Sequence, residues 1–292
     1  MRQVNRLLWG ASGVVTAVVL AIPGSKLLTR AAVTENTPGI SAAPVATLPA
    51  APGGLTVYGC GANVRVLAAQ ASQIQVTEQG QYSKGQGIIP SVTWSLAGHQ
   101  VMLGDQGCAS QFTPSGYIVT VPKGTPVTVD SGSGDVQIAG TAMATVDSEG
   151  GNVSINGTPG ANVDSGSGFV NATDIDGPLT VDSEGGNVSI SELTGTLNTN
   201  TGSGDLSARD LDTRDANATT EGGNAGMVFA NSPQAVNLIT GGGGAVVHVP
   251  GGPYALTAST SGGSWSVEIA TNPQARKTLT ITTNGGNLVV AP

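Results

Sequence analysis

The chain has 292 residues, of which 44 are glycine, 3% are aromatic and 10% are charged, with a formal net charge of −8. About 15% glycine with so few charges excludes an ordinary globular domain, which carries about 7% glycine and 25% charged residues. A hydrophobic share of 39% excludes a disordered chain, and the lack of a strict Gly-X-Y period excludes collagen.

The first element is a targeting segment. Arg2 and Arg6 precede an uncharged stretch from Leu7 to Ser25, which Lys26 and Arg30 close. Nineteen uncharged residues are just enough to cross about 30 Å of hydrocarbon as a helix. Residues 1–30 are therefore read as an N-terminal transmembrane anchor, with a cleaved signal peptide as the alternative. Pro23-Gly24-Ser25-Lys26 is a poor cleavage site, which favours the anchor. Both flanks carry two bases, so charge does not orient the helix. A short leader before a large domain favours an extracytoplasmic C-terminus. Residues 31–54 hold Pro38, Pro44, Pro49 and Pro52 among Ala, Thr and Ser, the composition of an extended linker.

Residues 55–125 contain the only two cysteines, Cys60 and Cys108. In an exported chain a lone pair most simply forms one structural disulfide. A redox or metal role has little support, because there is no CxxC and His99 is the one nearby histidine.

From residue 126 the chain is governed by repeats. Glycine-centred corners recur at Ser131–Gly134, Glu149–Gly151, Ser165–Gly168, Glu184–Gly186, Thr201–Gly204, Glu221–Gly223, Gly241–Gly244, Ser261–Gly263 and Asn284–Gly286. The decapeptide VDSEGGNVSI at 146–155 recurs unchanged at 181–190, and VDSGSG at 129–134 recurs at 163–168. Apolar residues alternate with polar ones on both sides of each corner, as in Val127/Val129 and Val136/Ile138. A period of two puts them on one face of a strand. The prediction is an all-β solenoid of stacked coils over 126–292, with residues 55–125 as an N-terminal β-region capping it. The aliphatic interior implies a core too narrow for aromatics, with glycine supplying positive φ at the corners. SGSG and EGG corners alternate, which favours a 35-residue unit in which like stacks on like. A 17-residue coil is the alternative, and it would keep Glu149, Glu184 and Glu221 off adjacent rungs.

Charge divides the chain unequally. Residues 1–124 carry seven bases against three acids, +4, and residues 125–292 carry four bases against sixteen acids, −12. An acidic repeat domain excludes a nucleic-acid partner, which needs a basic patch.

The stretch Tyr117-Ile-Val-Thr-Val-Pro-Lys-Gly-Thr125, followed by Pro126-Val-Thr-Val-Asp-Ser-Gly-Ser-Gly-Asp135, resembles the opening of the repeat region in a family of adhesin-like bacterial surface proteins with glycine-punctuated β-strands. The resemblance covers roughly residues 55–292. It implies a β-solenoid outside the cell and brings no catalytic residues with it. The all-glycine corner at Gly241–Gly244 and Pro250-Gly-Gly-Pro253 depart from the pattern.

Candidate chemistry is thin. Calcium takes oxygen ligands, but the residues after the corner glycines are Asp135, Asn152, Phe169, Asn187, Asp205 and Asn224, so ligand identity is not kept. These read as polar corner residues that hold turns by hydrogen bonds. The Asn-x-Ser/Thr triplets at Asn152, Asn156, Asn171, Asn187 and Asn217 follow from the same alternation. Glycan chemistry needs paired carboxylates or a positioned base, and His99 and His248 lie in different segments. Trp94, Tyr117, Tyr254 and Trp265 are candidates for stacking on sugars, with Trp265 expected to face the core.

The expected protein is a non-enzymatic, adhesin-like binding or scaffold module with no cofactor or metal. It would be displayed at the cell envelope by its membrane helix and contact an unidentified envelope or surface glycan or protein. The alternatives are an envelope sensor acting through the membrane helix, and a glycan-acting enzyme.

Overall fold

The computed structural model describes residues 27–30, 45–80, 91–106, 108 and 115–292. The proposed membrane helix over residues 7–25 lies outside them. Among the described residues no helix is long and apolar enough to cross a membrane, and every regular element is a strand. The N-terminal strands are β1 (Leu27–Arg30), β2 (Val45–Pro49), β3 (Leu55–Tyr58), β4 (Asn63–Ala69), β5 (Gln73–Gln79), β6 (Ser91–Ala97), β7 (Gln100–Leu103) and β8 (Gly116–Pro122). The middle of the chain gives β9 (Val127–Asp130), β10 (Val136–Ala139), β11 (Ala144–Ser148), β12 (Val153–Thr158), β13 (Ala161–Ser165), β14 (Val170–Asp176), β15 (Leu179–Ser183), β16 (Val188–Thr201) and β17 (Leu206–Thr220). The C-terminal part gives β18 (Ala225–Phe229), β19 (Ala235–Thr240), β20 (Ala245–His248), β21 (Ala255–Thr260), β22 (Trp265–Val267), β23 (Thr278–Thr283) and β24 (Leu288–Ala291).

These strands form two ladders back to back. The first runs β1-β6-β7-β3-β9-β11-β13-β15-β16-β17-β19-β23-β21. The second runs β2-β5-β8-β4-β10-β12-β14-β16-β17-β18-β20-β24-β22. The long strands β16 and β17 pass from one ladder to the other. Pairing is parallel throughout the repeats and antiparallel only around β1, β2, β5 and β6. Alternate side chains of both ladders meet in one continuous aliphatic core, as expected for strands of period two.

The coil is the 17-residue unit, not the 35-residue one. Val136 pairs with Val153, Val153 with Val170 and Val170 with Val188, one coil apart each time. SGSG and EGG corners therefore stack on each other alternately.

Close approach explains why the corners need glycine, and positive φ does not. Of the glycines in the repeat corners only Gly132 has a left-handed φ, at 63°. A Cβ on Gly151, Gly168, Gly186, Gly204 or Gly223 would instead overlap the backbone of the glycine one coil earlier. A second column alternates. A Cβ on Gly166, Gly202 or Gly241 would overlap the carbonyl oxygen of Glu149, Glu184 or Glu221 respectively. Each EGG corner thus accepts a glycine from the SGSG-type corner above it. A 17-residue coil carries a 35-residue chemical repeat because neighbouring corners interlock as unlike partners.

Aromatic side chains are excluded from the core only in the central coils. Trp94, Tyr117, Phe229 and Tyr254 are all buried, but they lie in the coils toward either end. The Tyr254 hydroxyl donates to the Pro250 carbonyl at 2.6 Å and lies 2.7 Å from Ser232 Oγ.

The coils near both ends are interleaved out of chain order. At one end the coil β3–β4 lies between β7–β8 and β9–β10. At the other, β23–β24 lies between β19–β20 and β21–β22. Pro250-Gly-Gly-Pro253 carries the chain past the level that β23–β24 fills.

Candidate functional site

The first corner is built from three columns. At eight of the nine corners the residue that opens the corner is a buried Ser or Thr: Ser131, Ser148, Ser165, Ser183, Thr201, Thr220, Thr240 and Thr283. In all of these but Thr201, whose Oγ1 donates to the Thr219 carbonyl at 3.5 Å, the hydroxyl donates to the carbonyl of the glycine three residues on. The distances include 2.6 Å from Ser131 to Gly134, 3.1 Å from Ser183 to Gly186 and 2.8 Å from Thr220 to Gly223. At most corners the residue after the last glycine is Asn or Asp, and its side chain accepts the backbone N–H of its counterpart one coil on. Asn152 N donates to Asp135 Oδ1 at 2.9 Å, Phe169 N to Asn152 Oδ1 at 3.0 Å and Asn224 N to Asp205 Oδ1 at 2.7 Å. Phe169 breaks this ladder and is left 44% exposed. Of the residues weighed for calcium, Asp135, Asn152, Asn187 and Asp205 thus tie each coil to the next rather than closing their own turn. The Asn152 and Asn187 amides serve the same ladder, and Asn217 Nδ2 donates to Asn198 Oδ1.

The opposite corner has a left-handed column that the sequence did not reveal. Gly140, Gly157, Asp174, Glu192 and Asp210 have φ between 54° and 70°. Here a glycine or an acidic residue turns the chain between the two ladders on successive coils.

Asp130, Asp147, Asp164 and Asp182 stand in direct register on the outer face of the first ladder. Among the described residues no group of three or more His, Cys, Asp or Glu is arranged to hold a metal ion. His99 lies between β6 and β7 and His248 in β20, so the two histidines belong to opposite ends of the stack. A shallow groove of about 450 Å³ opens on the second ladder, lined by Asn63, Arg65, Gln137 and Asn152 among others. Cys60 and Cys108 are paired as a disulfide with Cα atoms 5.3 Å apart.

Of the aromatics considered for sugar stacking, Trp94, Tyr117 and Tyr254 are buried in the core. Trp265 does not face a closed core. It shares the inward column of Leu288, yet it is 62% exposed because its strand is the last rung. Exposed aliphatics gather near this end, at Val228, Ile239 and Val246.

No curated protein sequence matches the chain. Among solved structures, a candidate adhesin from Bacteroides fragilis is 11% identical, with a TM-score of 0.38, over 85% of this chain and 96% of its own. A candidate adhesin from Parabacteroides merdae is 12% identical, with a TM-score of 0.30, over 84% of this chain and 95% of its own. A candidate cell adhesion protein from Clostridium sporogenes is 10% identical, with a TM-score of 0.21, over 85% and 97%. Residues 55–291 match the Toastrack DUF4097 family, and the chain belongs to that family.

Proposed function

We propose that the protein is a non-enzymatic, adhesin-like module that holds a binding surface away from the cell envelope. One observation carries this reading: the stack has two different ends. The strands nearest the apolar leader, β1 and β2, lie at one extreme of the ladders, and β21 and β22 lie at the other. Thirteen strands per ladder at about 4.8 Å each separate those extremes by roughly 58 Å. An anchor through residues 7–25 would leave β21 and β22 as the distal tip. The family resemblance and the dense backbone pairing support a stiff spacer.

The test is capture of envelope polymers and surface proteins by the full chain in detergent, with glycan turnover measured in parallel. Retention of a defined glycan or protein, without turnover, is the expected result. Turnover abolished by a single Asp or Glu substitution would replace this reading with an enzyme.

A further inference from the structure

We infer that the distal rung, β21–β22, is a contact surface for a second copy of this chain, packed tip to tip. The inference deepens the display reading by naming a partner for the tip.

Its first support is the open edge. β21 pairs only with β23, and β22 only with β24. A single bridge from Tyr254 to Thr271 is the one further pairing recorded at that end among the described residues. The side chains that enter the core from every other coil are only half covered here: Leu256, Ala258, Val267 and Ile269 pack against the core from one side, and Trp265 is 62% exposed. Open edges are ordinarily blunted by charge, proline or a bulge. Neither strand, ALTAST or WSV, contains a charged residue or a proline.

Charge selects the partner and the geometry. Residues 125–221 carry fifteen acids against Arg209 and Arg214, a net −13, whereas residues 222–292 hold only Glu268, Arg276 and Lys277, a net +1. Two copies side by side would bring acidic shafts together. Two copies end to end meet through surfaces with few charges, Glu268 beside β22 among them. A two-fold axis across the stack runs the facing strands antiparallel, so both open edges gain backbone partners at once.

Size sets the strength. A six-residue strand is about 20 Å long, and two packed sheets with their side chains are about as thick, so the end face is roughly 400 Å² per copy. The total of about 800 Å² is below the 1,200–2,000 Å² of standard stable interfaces. The contact is therefore weak in solution and gains strength when many copies face each other on apposed surfaces.

The test is sedimentation of the full chain in detergent over rising protein concentration, with hydrogen exchange read on β21 and β22. A monomer–dimer shift in the micromolar to millimolar range is expected, with exchange of these strands slowing as the dimer forms. Trp265→Lys places like charges at the contact and should weaken dimerisation at least tenfold with unchanged circular dichroism. Val246→Lys, on the exposed outer face of β20, should leave it intact. A monomer at every concentration, or a dimer lost in Val246→Lys but kept in Trp265→Lys, overturns the inference. A monomer that still captures an envelope ligand would do so while leaving the display reading standing.

Discussion

Gly185 and Gly186 are adjacent in one corner and should respond to alanine in opposite directions. A Cβ on Gly186 would overlap the Gly168 carbonyl oxygen and lie 2.7 Å from its carbon. To relieve this the two coils must part by about an ångström, beyond hydrogen-bonding distance. The bonds at stake are Glu184 N to the Ser165 carbonyl at 2.9 Å, Gly185 N to the Gly166 carbonyl at 2.7 Å and Val170 N to the Asn187 carbonyl at 3.0 Å. Three bonds at about 1 kcal/mol each put the loss for Gly186→Ala near 3 kcal/mol. A Cβ on Gly185 meets nothing closer than the Gly166 carbonyl oxygen at 3.6 Å and needs no left-handed backbone. Gly185→Ala should stabilise by about 0.4–1 kcal/mol, because alanine has fewer unfolded conformations to lose. Denaturant unfolding of the full chain followed by circular dichroism reads both values. If Gly186→Ala stayed within about 1 kcal/mol of the parent, close approach would not be what holds glycine at these corners. A loss for Gly185→Ala equal to that for Gly186→Ala would refute the contrast itself.

The other columns make further predictions. Phe169→Asn supplies the missing acceptor for the backbone N–H of Asn187 and should raise the unfolding midpoint, by about 0.5–1.5 kcal/mol in denaturant titration. Thr158 is buried in the column of Ile175 and Leu193 with no partner for its hydroxyl. Thr158→Val keeps the shape and should stabilise by about 1 kcal/mol, whereas destabilisation would mean that the hydroxyl is bonded. Glu192 holds φ at 56°, so Glu192→Gly should gain about 1 kcal/mol by removing the left-handed penalty. Replacing Cys60 and Cys108 by Ser opens a loop of 48 residues in separation and should cost about 4 kcal/mol in the chain-entropy model. Denatured, unreduced protein should show no free thiol, and two thiols would refute the bond.

The alternation of apolar and polar residues is enough to establish an all-β stack, its inward faces and the position of each glycine-rich corner, but not the opposite corner. Val136, Val153, Val170 and Val188 are legible because strand periodicity is local and repeats. The cysteine pair could be matched because only one pairing exists within the chain. Contacts between coils were not legible, because they join residues about 17 apart whose spacing says nothing of distance. Both SGSG/EGG registers were compatible with the sequence, and only the overlap of Gly166 with the Glu149 carbonyl shows why unlike corners stack. The Ser/Thr column looked like ordinary polar alternation until most of its hydroxyls were placed on the glycine carbonyls three residues on. Trp265 kept the inward parity expected of it, yet its exposure depends on which coil comes last. That order was decided by tertiary structure alone: β23–β24 lies inside β21–β22, against chain order. Local pattern fixes the face a side chain takes, and only the completed stack decides whether anything covers it.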